Sequence, residues 1–432
     1  MNLGKLRRVV RRHRYMRDGP AYAAFLQHID GWRDVWKATQ GEVTAWWNRR
    51  QSSKISLSVT GGGSLRVEAA LEECVIEVDG VELRVPPFEC GTPTAQPAGP
   101  VSITYDAGVR EAFLVPEVLG HLGCGHLLPA PAGARPDVAA SDLAEILTAL
   151  CRSSATRCRY DEHDIEKLKR IIADAHHRRG LPALRIWPLP HRSRRPYRVC
   201  VSPRHDVDRA IVNLPAINEL EARHGVRSTA YLRPMGYFYG KKDIARYCAT
   251  DLAAEVALHG EFVTTSRTRF PDEFAAARGE KAALQLVTKR EVPGVSIHGG
   301  EFASNSTRRT RDAIEGAGFL YETLDSDAYH HPLHLVTGQT VRRTLTIGRQ
   351  WSDIGTELAP GFGETLLRAL VERFHLAAAV GGIFVPVFHP IYFDLRNYFR
   401  RPSNLLRIAT VTPTLLMRIA FGRSDKADLD TG

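Results

Sequence analysis

The stretch Arg198-Val-Cys-Val-Ser-Pro-Arg-His-Asp-Val-Asp208 begins as an apolar strand and ends in two carboxylates. Beyond it, short apolar segments alternate with helical patterns. The further strands that these patterns predict are Ser228–Leu232, Glu255–Leu258, Gly294–Ile297, Val341–Ile347 and Ile383–Phe388. A repeated order of strand and helix is typical of a parallel sheet or barrel whose faces are covered by helices. The C-terminal half of the chain is therefore predicted to be an α/β domain.

Polar side chains that can carry out chemistry stand at the ends of several of these strands. Asp206 and Asp208 end the first strand, and His259, His298 and His389 follow later ones. The carboxyl ends of parallel strands share one edge of the fold, where such proteins place catalysis. A single Asp or His is usually a cap or a satisfied polar group, but core packing does not require this set. The pattern therefore favours a metal site or an acid–base site.

Four segments also resemble the motifs of a known family. They are His205-Asp-Val-Asp208 with the strand Ser228-Thr-Ala-Tyr-Leu232 after it, Glu255-Val-Ala-Leu-His259, Ser296-Ile-His-Gly-Gly300 and Val387-Phe-His-Pro390. Together they resemble the polysaccharide deacetylase (NodB-type) superfamily, in the branch whose first motif reads HDVD. The resemblance covers about residues 197 to 395, close to half of the chain.

The resemblance implies a distorted (β/α)7-type barrel, a divalent metal ion that is often zinc, and hydrolysis of an N-acetyl or O-acetyl group on a sugar. By correspondence of the motifs, Asp206 would be the general base and His389 the general acid. Asp208 and His259 would be metal ligands. These roles agree with general chemistry, because a metal ion polarises the acetyl carbonyl while a carboxylate and an imidazole transfer protons.

The third metal ligand is not given directly by the motifs. The family's second motif usually carries two histidines four residues apart, whereas here Val263 stands four residues after His259. Glu261 is the nearest candidate and His298 is the other. Zinc accepts either an oxygen or a nitrogen ligand, so both candidates stay open.

Two further residues are expected to bind substrate. Arg204 precedes the first motif. Asp325 stands where the family often has an acidic motif, and the alternative interpretation of this position is a simple turn. The usual arginine-proline motif of the family is not evident in this sequence. A catalytically inactive carbohydrate-binding relative is therefore the alternative to a deacetylase.

The chain divides into four predicted parts. They are a helical Trp-rich segment (1–52), a small antiparallel β domain (53–136), a helical linker region (137–196) and the barrel (197–432). Within the first part, the segment from Asp34 to Glu42 followed by Trp46-Trp47 resembles the last helical segment of related deacetylases. Thr39 and Glu42 have the spacing of a capping box, and the tryptophans are also expected to pack in a core.

The composition is that of an ordinary soluble globular protein. Of 432 residues, 44% are hydrophobic and 25% are charged, which excludes disorder, collagen and coiled coil as the class of the whole chain. Seven scattered cysteines without a CxxC pair, together with no secretory signal or apolar span of membrane length, predict a cytoplasmic location. The net charge of +10 permits a polyanion partner, but no nucleic-acid-binding motif accompanies it. The expected partner is an acetylated glycan, and no nucleic acid is expected.

Overall fold

The computed structural model describes residues 18–52, 54–59, 65–69, 75–78, 81–84, 101–106, 184–186, 189–192, 195–208, 211–234, 239–250, 254–260, 270–297, 308–325, 330–337, 340–353, 362–379 and 381–393. The helices within these residues are α1 (Asp18–Asp30), α2 (Gln40–Ser52), α3 (Leu214–Arg223), α4 (Lys241–Cys248), α5 (Glu273–Thr288), α6 (Arg308–Gly316) and α7 (Phe362–Ala379). None of these helices is both long enough and apolar enough to cross a membrane.

The strands are β1 (Val35–Lys37), β2 (Lys54–Val59), β3 (Leu65–Ala69), β4 (Val75–Val78), β5 (Val81–Arg84), β6 (Val101–Asp106), β7 (Leu184–Ile186), β8 (His191–Arg192), β9 (Arg195–Pro196), β10 (Val199–Val201), β11 (Arg204–Val207), β12 (Thr229–Leu232), β13 (Glu255–Gly260), β14 (Gly294–Ile297), β15 (Tyr321–Asp325), β16 (Leu333–Thr337), β17 (Thr340–Arg349), β18 (Trp351–Ser352), β19 (Ile383–Phe384) and β20 (Pro386–Phe388).

The main sheet places consecutive strands of the chain side by side. Its order is β16-β17-β15-β14-β13-β12-β11-β20-β18, and every neighbouring pair is parallel except β16 with β17. Helices α3 to α6 lie between the successive strands from β11 to β15, as parallel neighbours require. The predicted α/β class is confirmed, and this strand order is consistent with a distorted barrel.

The strand that opens the first motif is split into two. β10 pairs with β1 and β19, whereas β11 pairs with β12 and β20. Pro203 lies at the break, and proline has no N–H to donate to a sheet ladder. Its carbonyl still accepts a hydrogen bond of 2.9 Å from the N–H of Thr229, so the chain stays attached to β12.

Alternation along the strands separates two apolar layers. Tyr231, Ala257 and Leu345 face an inner cluster. Ala230 and Val256, one position away from the first two, belong to an outer cluster under the helices. Arg204 and Asp206, two residues apart on β11, share one face of that strand, which allows both side chains to reach the same interior site.

Residues 18–52 pack on the strands of the C-terminal half. β1 adds a parallel strand beside β10, with Val35 opposite Val199. Phe25 and Leu26 on α1 are buried in one cluster with Phe374 on α7. The N-terminal segment therefore contributes to the same core as the strands that carry the first motif.

Antiparallel strands occur in the region predicted as a small β domain. β2 pairs with β3 and β6, and β4 pairs with β5. β4 also pairs with β7, which lies beyond the predicted boundary at residue 136. The helices predicted over 141–152 and 161–178 lie outside the described residues. The division of the chain at residues 52, 136 and 196 stays a prediction.

Helix α2 closes the end of the sheet at which the strands begin. Trp46 and Trp47 are 1% and 0% exposed, and they pack in the inner cluster with Tyr231. Their interpretation as core residues is confirmed. The predicted capping box is also present, since the N–H of Thr39 donates to Oε2 of Glu42 at 2.9 Å and the N–H of Glu42 donates to Oγ1 of Thr39 at 3.3 Å.

Glu255, the first residue of β13, joins this helix to the sheet. Its carboxylate accepts hydrogen bonds from the Gly41 N–H (3.0 Å), Thr39 Oγ1 (3.1 Å), Thr229 Oγ1 (3.1 Å) and Tyr321 Oη (2.6 Å). Burial raises the pKa of Glu255, although these four hydrogen bonds act in the opposite direction. A carboxylate at the N-terminus of a helix is also favoured by the helix dipole.

Replacing Glu255 tests whether this contact holds α2 in place. We expect Glu255→Ala to lower the free energy of unfolding by about 3 kcal/mol, because it leaves several buried donors without an acceptor. Denaturant unfolding measures the change. Glu219→Ala, at an exposed position of α3, is the control and should stay within about 0.5 kcal/mol of the wild type. Equal stabilities of the two variants would contradict the role given to Glu255.

Candidate active site

The carboxyl ends of β11, β13 and β20 bring predicted site residues together. Asp208 Oδ1 lies 3.3 Å from Nε2 of His259, and Asp208 Oδ2 lies 3.9 Å from Nε2 of His389. The two imidazoles are 4% and 7% exposed, whereas the Asp208 side chain is 23% exposed. Of these three side chains, Asp208 is the one that solvent, and hence a substrate, reaches most readily.

Asp206 is held by a buried ion pair. Nε of Arg204 donates to Oδ1 of Asp206 at 2.6 Å, and Nη2 donates to Oδ2 at 2.7 Å. Burial by itself would raise the pKa of Asp206, but Arg204, His259 and His389 outweigh it and hold that pKa well below its ordinary value. Asp206 is therefore a charged carboxylate with a fixed orientation.

Arg204 lies inside the sheet beside Asp206. Its side chain is 1% exposed, and Nη1 donates to Oγ1 of Thr323 at 2.7 Å. Nη2 also donates to the hydroxyl of Ser296, and the guanidinium lies 4.6 Å from the centre of the Tyr231 ring. These contacts orient Asp206 from inside the sheet, and the substrate-binding role of Arg204 stays a prediction.

His389 has its own carboxylate partner. Nδ1 of His389 lies 2.6 Å from Oδ1 of Asp353, and the backbone N–H of His389 donates to Oδ2 of Asp353 at 2.6 Å. Burial would lower the pKa of His389, but Asp353, Asp206 and Asp208 outweigh it and raise that pKa to about 10. Because Asp353 faces Nδ1, the other ring nitrogen, Nε2, is directed toward Asp208.

Sequence reasoning missed Asp353, the carboxylate partner of His389. Asp353 follows β18, a strand of two residues that is too short to show an alternating pattern. It is 0% exposed, and the N–H of Asp353 donates to the Val387 carbonyl at 3.1 Å. Asp325 ends β15 opposite Arg349, and its binding role stays a prediction. No local signal marks Asp353, because the preceding Arg349-Gln-Trp-Ser352 is not an apolar run.

His205, the first residue of the HDVD motif, faces away from the site. Its Nε2 lies 2.7 Å from Oε1 of Glu221 on α3. Glu221 also accepts hydrogen bonds from Oη of Tyr22 (2.8 Å), Nδ2 of Asn218 (2.9 Å) and Oγ of Ser228 (2.6 Å). This buried network anchors the back of β11 to α1 and α3, and so supports the strand that carries both aspartates.

The donor set of Asp208 and His259 fits a divalent metal ion. Two ligands on one tetrahedral zinc ion, each at about 2.1 Å, lie about 3.4 Å apart, and Asp208 Oδ1 and His259 Nε2 are separated by 3.3 Å. Within the part of the chain that the structure describes, no group of three or more His, Cys, Asp or Glu side chains is placed to hold a metal. Glu261 and His298, the predicted sources of a third ligand, lie outside the described residues.

Comparisons by sequence find no relative. No protein-family model matches the chain, and no curated protein matches it either.

Solved structures do resemble it. A protein from Mycobacterium smegmatis described as a polysaccharide deacetylase is 17% identical, with a TM-score of 0.36, over 49% of this chain and 83% of that chain. A Bordetella bronchiseptica protein described as a polysaccharide deacetylase involved in O-antigen biosynthesis is 16% identical, with a TM-score of 0.32, over 48% of this chain and 83% of that one. A CE4 family pseudoenzyme from Bacillus anthracis is 17% identical, with a TM-score of 0.28. The match covers 44% of this chain and 54% of that chain. Each of these three proteins is named as a polysaccharide deacetylase or as a member of the CE4 family.

The buried ion pair can be tested by removing one or both partners. We expect Arg204→Met to lower the free energy of unfolding by about 3–5 kcal/mol, because it leaves the Asp206 charge buried without its cation. The double variant Arg204→Met/Asp206→Leu should recover much of that loss, since it removes both charges. Denaturant unfolding of the wild type, the single variants Arg204→Met and Asp206→Leu, and the double variant measures the coupling. Additive losses in the double variant would show that the pair does not act as a unit.

Proposed function

We propose that this protein is a metal-dependent hydrolase that removes acetyl groups from a polysaccharide or its sugar precursor, in cell-surface carbohydrate metabolism. The observation that carries the proposal is the convergence of a charged Asp206 and an imidazole of His389 on the Asp208–His259 pair. Hydrolysis of an acetyl group needs a proton acceptor for water, a proton donor for the leaving group and stabilisation of the carbonyl oxygen.

Asp206 is the proposed general base. It accepts a proton from the water molecule whose oxygen attacks the acetyl carbon. A carboxylate with a depressed pKa is a weak base, so its contribution depends on orientation. Arg204 supplies that orientation through two hydrogen bonds to the carboxylate, of 2.6 and 2.7 Å.

His389 is the proposed general acid. Its Nδ1 faces Asp353 at 2.6 Å, which stabilises the protonated imidazole and leaves Nε2 directed toward the site. Nε2 donates its proton to the nitrogen or oxygen of the sugar as the bond to the acetyl carbon breaks. The products are acetate and a free amine or hydroxyl on the sugar.

Asp208 and His259 would hold the metal ion, which we propose to be zinc, with Glu261 or His298 as a further ligand. When bound, a divalent ion at this position polarises the acetyl carbonyl and lowers the pKa of water. Both residues lie at strand ends, so their positions depend on the sheet rather than on a loop.

Acetate release tests the assignment of the base. N-acetylated and O-acetylated oligosaccharides are incubated with the zinc-loaded protein, and acetate is quantified. We expect Asp206→Asn to lower kcat by about a hundredfold or more, because the amide cannot accept the proton. Asp272→Asn is the matched control, since Asp272 caps α5 through Ala275 N–H and asparagine also caps helices.

Two results would count against the proposal. Full activity of Asp206→Asn would show that Asp206 is not the base. Binding of the oligosaccharides by the wild type without any acetate release would favour the carbohydrate-binding alternative.

Metal content tests the ligands without any choice of substrate. The purified wild type is expected to hold about one zinc ion per chain, and Asp208→Ala and His259→Ala are expected to lose it, because each removes one ligand. Elemental analysis after dialysis measures the ratio, with Asp272→Asn as the control. A wild type that takes up no divalent ion would contradict the metal-dependent mechanism.

A further inference from the structure

We propose that Arg233 is a built-in counter-cation of Asp208 and that it lowers the affinity of the site for a divalent metal ion. The inference rests on the proposed function, because it concerns the same metal site. Sequence reasoning singled out no role for Arg233.

The position of the guanidinium carries the argument. Arg233 directly follows β12, and its side chain is 3% exposed. Nη1 of Arg233 lies 3.8 Å from Oδ1 of Asp208. That oxygen is also the one that lies 3.3 Å from Nε2 of His259. The cation and the proposed metal ligand therefore approach the same carboxylate oxygen.

The backbone of Arg233 is tied to the strand that carries Asp208. The N–H of Arg233 donates to Oη of Tyr239 at 2.9 Å. The same hydroxyl donates to the carbonyl of Val207 at 2.7 Å. Val207 immediately precedes Asp208, so Tyr239 bridges the ends of β11 and β12 and holds the backbones that carry the two charged residues side by side.

Asp206 and His389 each have a partner of opposite charge. Asp206 is paired with Arg204 at 2.6 Å, and His389 is paired with Asp353 at 2.6 Å. Arg233 also interacts electrostatically with Glu280 on α5. Removing Arg233 would therefore increase the negative charge around Asp208.

A guanidinium cannot lose its charge at the pH of a cell. A divalent ion bound to Asp208 would stand only a few ångströms from it, in a site that water screens weakly, and would be repelled. The same cation stabilises the Asp208 carboxylate when no metal is bound. Both effects weaken metal binding, and we expect the loss of the Arg233 charge to tighten it about tenfold.

Calorimetric titration of the metal-free protein with zinc tests this directly. The proteins compared are the wild type, Arg233→Met, Arg233→Lys, Arg227→Met and Asp208→Ala. Arg227 is a matched control, because it precedes the same strand at its opposite end and is 66% exposed. Arg233→Met should bind about tenfold more tightly, whereas Arg233→Lys and Arg227→Met should bind like the wild type.

The outcomes separate the inference from the proposed function. If the wild type binds zinc, Asp208→Ala does not, and Arg233→Met binds equally or more weakly, the inference is overturned while the metal site stands. If neither the wild type nor Arg233→Met binds zinc, the proposed metal dependence fails and the inference fails with it. Thermal unfolding verifies that each variant is folded, and Arg233→Gln replaces Arg233→Met if the latter is not.

Discussion

Inside the sheet, the guanidinium of Arg204 holds both oxygens of the Asp206 carboxylate. Removing two charges from water is costly, and it is tolerated only where hydrogen bonds satisfy the remaining polar atoms. Thr323 and Ser296 supply those bonds, and the ring of Tyr231 covers one face of the guanidinium. The pair therefore requires β12, β14 and β15 to be correctly placed around β11, which links the formation of the sheet to the orientation of the proposed base.

Two buried carboxylates extend this dependence to the N-terminal segment. Glu221 accepts a hydrogen bond from Tyr22 on α1 and lies beside His205 behind the site. Glu255 accepts one from the N–H of Gly41 at the start of α2. Each carboxylate takes part of its hydrogen bonds from residues 18–52 and the rest from the sheet and its helices. The N-terminal segment thus supports the site although it supplies none of the proposed catalytic groups.

Within the described residues, the aspartates of the site lie beside side chains that carry or can take up a positive charge. Each of its three aspartates has a positively charged or protonatable side chain nearby: Arg204 for Asp206, His389 for Asp353, and Arg233 with His259 for Asp208. In a buried site such pairing limits the cost of holding charges near one another. Asp208 differs from the other two because its side chain is the most exposed, which makes it the carboxylate best able to accept a further cation.

The sequence by itself determined the α/β class and the closeness of Asp206, Asp208, His259 and His389. Consecutive parallel strands bring their carboxyl ends to one edge of the sheet. Residues at strand ends therefore lie close together, regardless of the loops that connect the strands. Only the tertiary structure decided which side chains these site residues contact. Arg204 meets Thr323, which is 119 residues further along the chain. Asp353 follows a strand too short for periodicity to reveal. Such contacts depend on the packing of distant segments, and no local pattern of residues encodes that packing.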